Sequence, residues 1–239
     1  MDTALLLLVL GVAAGALTTV SGMGGGMLLL LVLSLVWSPA EALACTAPAL
    51  LLGNLHRFYL FRRQVAWGAI APFALAAIPG SLLGALLLSS APVSLTRWLL
   101  MGMTGLAIAR ALGWVRVQPR PWAMAPAGGL LGAFNAVAGG AGLLVAPLFL
   151  ALGLSGETYI ASMSASAVAM HFGRIIGYGA GGLFTPRLLL FSAVTALAIL
   201  SGNFAGRRLR RFSARLPTNS LEYATLACCV SAALLGVGR

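Results

Sequence analysis

The residues of this sequence whose type and spacing could do chemistry are two glycine-rich segments and two arginines. The segments are Ser21-Gly22-Met23-Gly24-Gly25-Gly26 and Gly139-Gly140-Ala141-Gly142, and the arginines are Arg57 and Arg174. Where a helix starts, four backbone N–H groups lack an intrahelical acceptor, and the helix dipole places roughly half a positive charge there. A glycine segment followed at once by an apolar helix therefore offers an anion a site without a charged side chain. Close helix packing through small residues is the alternative use of the same glycines in a membrane. Arg57 and Arg174 have two readings as well. They either stand at the mouths of an anion path as planar forks, or snorkel from helix ends to lipid headgroups.

Other polar residues cluster around these. Ser21, Thr46, Asn135, Ser162 and Ser164 lie beside the breaks or on the following helix. They either give neutral donors to an oxyanion or bond back to helix carbonyls. Asn54 aligns with His171, and His56 lies close by; with no acidic residue expected deep in the bilayer, His56 and His171 are the candidates for proton coupling. A hydrogen-bonded helix contact is the plainer role for each. The candidate substrate-binding set is Ser21, Gly22, Gly24, Gly25, Gly26, Thr46, Asn54, Arg57, Asn135, Gly139, Gly140, Gly142, Ser164, His171 and Arg174. No catalytic triad, paired-carboxylate metal site or phosphate-binding Gly-Lys-Ser loop occurs, so no enzyme activity and no cofactor is expected. Cys45, Cys228 and Cys229 lack metal-ligand spacing and read as small core residues.

The elements that must position these residues follow from composition. Of 239 residues, 60% are hydrophobic and 8% charged, which leaves too little polar surface for a soluble domain. With about 20 apolar residues needed per crossing, the length suits six to eight spans. The net charge of +11 comes from fifteen arginines at the ends of apolar runs, without the aromatic interleaving of a nucleic-acid groove, so no nucleic-acid partner is expected. The N-terminus lacks the basic region of a signal peptide and is expected to be retained as membrane structure.

Sliding the sequence on itself by 117 positions brings Gly15, Ala16, Val20 and Gly22 onto Gly132, Ala133, Val137 and Gly139. Gly25 falls on Gly142, Ser38 on Ser155, Ala44 on Ala161 and Arg57 on Arg174; an offset of 122 then pairs Gly80 and Gly84 with Gly202 and Gly206. The chain reads as two homologous halves, 1–113 and 125–239, joined by a linker over 114–124. Apolar runs cover roughly 4–37, 42–60, 65–88 and 96–112 in the first half, and 125–153, 158–180, 187–205 and 220–238 in the second. A straight helix over 4–37 would be about 51 Å long against a ~30 Å hydrocarbon core, so it must break, and the glycines mark the place. A half-helix is expected over Met27 to Trp37.

Arg62, Arg63, Arg110, Arg116, Arg120, Arg207, Arg208, Arg210, Arg211 and Arg215 can all be cytoplasmic, leaving only Arg97, Arg187 and Arg239 outside. That assignment puts the N-terminus outside and makes corresponding loops of the two halves face opposite sides. The expected fold is thus an all-α polytopic membrane protein of two inverted-topology repeats, each a Gly-broken helical element plus three spanning helices. Eight ordinary spans, with each broken element counted as two short ones, is the plainer alternative.

At these residues the sequence resembles the TauE/SafE family of sulfite exporters. The resemblance rests on Gly22-Met23-Gly24-Gly25-Gly26 before an apolar helix, on Ala44 to Ala47, and on a second copy at Gly139 to Pro147 followed by Ala161 to Ser166. It departs from the family pattern at Leu30, the partner of Pro147, and at Ala141 inside the second glycine run. The resemblance implies export of sulfite or an organosulfonate across a bacterial inner membrane. The function expected is a secondary transporter of a small anion, alternating access around a midplane site, its partners being that anion, the bilayer and, in a homo-oligomer, further copies of the chain. An anion channel, a haem protein using His56 and His171, and a non-transporting assembly factor are the other classes weighed.

Overall fold

Proline, a capping box and left-handed glycines decide where the helices of this chain begin and end. The computed structural model describes residues 3–34, 36–90, 120–140 and 142–213, and among these every regular element is helical. Helix α1 is Thr3–Ser21, α2 Gly25–Leu33, α3 Pro39–Phe61, α4 Trp67–Ser90, α5 Met124–Ala138, α6 Gly142–Ala151, α7 Gly156–Ala180 and α8 Pro186–Ser213. Turns of 3-10 helix, Arg62–Gln64 and Pro121–Ala123, lead into α4 and α5. The apolar runs expected at 96–112 and 220–238, linker residues 114–119, Ala141, Cys228, Cys229, Arg97, Arg110, Arg116, Arg215 and Arg239 lie outside the described residues.

Both expected breaks are present. Gly22 and Gly24 have φ of 79° and 94°, and Gly139 and Gly140 have φ of 66° and 68°. An L side chain rarely adopts that backbone, so glycine is what lets the chain leave one helix and enter the next within a few residues. The first half-helix departs from the expected Met27 to Trp37. It starts at Gly25 and is over by Leu33, nine residues or roughly 14 Å. The reason lies downstream: Pro39 holds Ser38 in extended backbone (φ −63°, ψ 150°), and Ser38 opens α3 with a capping box. In it the Ser38 hydroxyl accepts the Glu41 amide at 3.3 Å, while the Glu41 carboxylate accepts the Ser38 amide at 3.0 Å.

Small residues then set the packing. Gly11 of α1 abuts Thr195 and Ala198 of α8, Gly15 abuts Ile199 and Asn203, and Gly206 abuts Ala16 and Thr19, so α1 and α8 run side by side in the same direction. Helices α4 and α5 are paired likewise: Gly128 abuts Phe73, Gly132 abuts Ala77 and Ser81, and Gly84 abuts Ala133. A Cβ at Gly15, Gly80, Gly84, Gly128 or Gly202 would strike a carbonyl oxygen of the facing helix, the close backbone approach typical of membrane helices. At the centre α3 and α7 cross in opposite directions, Arg57 reaching Ser164 and Arg174 reaching Leu43. Helix α3 runs parallel to α8, with Gly53 against Ile199 and His56 against Phe204, and α7 runs parallel to α4, with Gly173 against Ile78 and Gly177 against Ala85.

These directions give the bundle two unlike ends. One gathers Arg62, Arg63, the start of α7 at Gly156 and Arg207, Arg208 and Arg210, with Arg210 Nη1 donating to the Val20 carbonyl at 2.8 Å. The other holds Glu41, Arg187 and the stacked pair Trp37 and Phe191. The polarity is inverted relative to a water-soluble protein. Leu75, Leu87, Leu130, Leu190 and Leu197 are exposed, while Thr19, Asn54, Arg57, Ser164, His171, Arg174 and Asn203 are buried. Helices α1, α4 and α8 contain segments long and apolar enough to cross a bilayer. Helices α3 and α7, of 23 and 25 residues, have the length for it and turn their polar residues inward. Cys45 is a free, buried core residue, as its apolar surroundings in the sequence suggested.

Candidate functional site

The crossing of α3 and α7 carries both arginines into the interior. Arg57 is 4% exposed and donates from Nε to Ser164 Oγ at 2.7 Å and from Nη2 to Asn54 Oδ1. Arg174 is 1% exposed; its Nη1 donates to the Asn135 carbonyl at 3.3 Å, and its Nη2 to the Leu43 carbonyl at 3.2 Å and Thr46 Oγ1 at 3.3 Å. Its guanidinium also lies over the Tyr178 ring, 5.6 Å from the centroid, and its Nε has no partner. Every hydrogen-bond acceptor on either arginine is neutral. The two described carboxylates, Glu41 and Glu157, are exposed at the helix starts. Neither guanidinium reaches the outside of the bundle, so snorkelling describes neither.

Between the arginines lies a cavity of about 90 Å³. One water needs roughly 15 Å³ on this measure, so the space suits an ion of a few heavy atoms. Of the residues singled out in the sequence, Gly22, Gly24, Gly26, Asn54, Arg57, Asn135, Gly140, Gly142, His171 and Arg174 line it together. His171 is 6% exposed and its Nδ1 has no partner. Both glycine breaks thus open on the same space, and Met27 of α2 lies beside Gly140 of the second break. The Gly25 amide is taken up by Thr18 Oγ1 at 3.1 Å, which leaves the next two amides of that helix start, Gly26 and Met27, on residues that line the cavity.

The remaining candidates sit elsewhere, for identifiable reasons. Ser21 Oγ donates back to the Leu17 carbonyl at 2.8 Å, and Gly25 and Gly139 are packed against Ala14 and Leu30 respectively. Thr46 and Ser164 stand behind the arginines, each donating its proton to its own helix, at 2.8 Å to Ala42 and 2.7 Å to Ile160. Ser162 Oγ accepts the Ala66 amide at 3.1 Å. His56 faces away from the cavity. Its ring lies 4.7 Å from that of Phe204 and its Nδ1 is 3.4 Å from Asn203 Nδ2, in a polar cluster where Asn203 also donates to the Gly53 carbonyl and accepts from Thr19. Sequence reasoning missed that cluster, the role of Thr18, and the apolar wall of Met23, Met27, Met163 and Met170. One signal for Thr18 was available: it precedes the cavity-lining Asn135 by the same 117 positions that separate Gly15 from Gly132 and Arg57 from Arg174.

A helical bundle with hydrocarbon-facing leucines outside and buried cations around an inner cavity is a polytopic membrane protein with an internal polar site. The chain belongs to the sulfite exporter TauE/SafE family, whose family model matches residues 7–235, nearly its whole length. No curated protein and no solved structure matches it. The family is one of membrane transporters, which agrees with the expectation that the chain is not an enzyme.

Proposed function

We propose that this protein is a secondary transporter that exports a small oxyanion, sulfite or an organosulfonate, through the cavity between Arg57 and Arg174. The observation that carries the reading is the pair of buried guanidiniums with only neutral acceptors. A charge held out of water with no counter-charge is costly, and an anion between the two removes that cost. At an effective dielectric constant near 20, one cation–anion contact at 4 Å is worth about 4 kcal/mol. The half-helix starts add a milder attraction of the same sign, and no fixed carboxylate competes among the described residues.

The alternating-access part of the proposal rests on inverted repeats. Gly11 and Gly15 precede Gly128 and Gly132 by 117 positions, and the residues they abut, Thr195 and Ile199, follow Phe73 and Ala77 by 122. The pair α1 with α8 therefore exchanges with the pair α5 with α4, which supports a two-fold relation between halves 1–113 and 125–239. Helix directions agree with it, since α3 and α7, equivalent by sequence, run oppositely. Placing the arginine-rich end in the cytoplasm of a bacterial inner membrane puts the N-terminus outside.

A thermal-unfolding panel on detergent-solubilised protein tests the binding half. Sulfite, sulfate, thiosulfate, taurine and sulfoacetate are compared, and a bound anion raises the midpoint according to its concentration over its dissociation constant. Stabilisation by one or more sulfur oxyanions, absent with chloride at equal ionic strength, is expected. No stabilisation by any of them would end the reading.

A further inference from the structure

Thr46 and Ser164 look by type like donors for an oxyanion, but a hydroxyl has one proton. Ser164 gives it to the Ile160 carbonyl at 2.7 Å, and Thr46 to the Ala42 carbonyl at 2.8 Å. What each oxygen then turns to the interior is a lone pair, and a guanidinium N–H occupies it: Arg57 Nε at 2.7 Å on Ser164, Arg174 Nη2 at 3.3 Å on Thr46. Both hydroxyls are fully buried, and neither belongs to the cavity lining. The two contacts are also crossed. Arg57 and Thr46 are on α3, Arg174 and Ser164 on α7, so each arginine takes its hydroxyl contact from the helix of the other half.

Resting on the anion reading, we infer that Ser164 and Thr46 are positioning residues which act on the substrate only through Arg57 and Arg174. A guanidinium is planar, so fixing one or two of its nitrogens fixes the plane in which the others meet a ligand. Without the hydroxyl the arginine keeps its charge and is held less firmly: Arg57 is left with Asn54 alone, and Arg174 with the Asn135 and Leu43 carbonyls. The crossing adds that the anion site has its full geometry only while α3 and α7 are in register, since a slide of either helix removes both hydroxyl contacts together.

The test is a pair of double-mutant cycles read as apparent anion affinity from thermal-shift titration of the full-length protein in detergent. Ser164→Ala is expected to weaken binding roughly three- to tenfold, the worth of one aimed hydrogen bond, and Ser164→Thr to restore it. In an Arg57→Lys background, which has no Nε–H to hold, Ser164→Ala is expected to change affinity less than about twofold. Thr46→Val should weaken binding by less than Ser164→Ala does in the parent chain, since Arg174 keeps its two carbonyl acceptors, should lose that effect in an Arg174→Lys background, and should add independently to Arg57→Lys. Equal weakening by Ser164→Ala in both backgrounds would mean that the hydroxyl meets the anion itself, and would overturn the inference. So would an unchanged affinity with a lowered ligand-free unfolding midpoint. If one alanine variant does not fold, the near-isosteric Thr46→Val decides by the same criteria. Failure of the wild-type protein to respond to any oxyanion is a separate result, and sinks the transport reading instead.

Discussion

The candidate site comes down to two arginines in an interior without an acidic partner among the described residues. Their surroundings differ. Asn54, one turn before Arg57, accepts from it and donates its amide to the Leu50 carbonyl at 2.7 Å, whereas His171, one turn before Arg174, leaves Nδ1 without a partner. Replacing either arginine by lysine retains the charge and loses the planar fork, so we expect about a tenfold loss of anion affinity, and a larger one with alanine. Retention of full affinity by both lysine variants would contradict the fork. At this scale residue type singled out Arg57, Arg174 and the glycines and left two readings of each; the burial of both guanidiniums is what the structure adds. Thr18 was not, because its contact with the Gly25 amide exists only once the chain has turned at Gly22 and Gly24. For Thr46 and Ser164 the sequence left two readings, a donor to an oxyanion or a bond back to the helix, and both hydroxyls bond back to helix carbonyls.

Among the elements, the glycine-broken segments matter most, and the two corresponding glycines of the pair separate in role. A Cβ at Gly25 would run into the Ala14 carbonyl and the Thr18 hydroxyl, whereas one at Gly142 meets nothing within 4 Å and would stand in open space at the cavity. Gly25→Leu should therefore lower the unfolding midpoint, by overpacking worth about 1–3 kcal/mol or more. Gly142→Leu should insert and unfold like the parent and fail to bind the anion. If Gly142→Leu binds normally, the cavity is not where the substrate sits. The break positions were legible because a 34-residue apolar run exceeds the bilayer, while the half-helix bounds were missed by two residues at the start, where no rule fixes which glycine first adopts helical backbone, and by four at the end, ahead of the extended Ser38 before Pro39. The close pairing of α1 with α8 and of α4 with α5 was only implicit, in glycines four residues apart.

For the whole molecule, polarity and charge agree: apolar side chains face outward, and Arg62, Arg63, Arg207, Arg208 and Arg210 gather at one end, against Arg187 at the other. Topology follows as a prediction. Single cysteines near Ser90 and Gly182 should be labelled by an impermeant reagent from outside intact cells, and single cysteines near Arg63 and Ser213 should not. Labelling of Gly182 and Ser213 from the same side would remove the inverted repeat and with it the alternating-access mechanism. Helical membrane character was legible from composition, since hydrophobic content and the lack of a second polar face leave few other folds. Which helices would touch was not, because an apolar sequence specifies contacts only by the few small residues that allow them. The most direct measurement is sulfite efflux from proteoliposomes, for the parent chain and for Arg57→Gln with Arg174→Gln. Saturable efflux well above protein-free vesicles, slowed by an organosulfonate and lost in the double variant although it inserts and folds, is the expected result. Efflux no faster than from empty vesicles, or equally fast in the double variant, would contradict it.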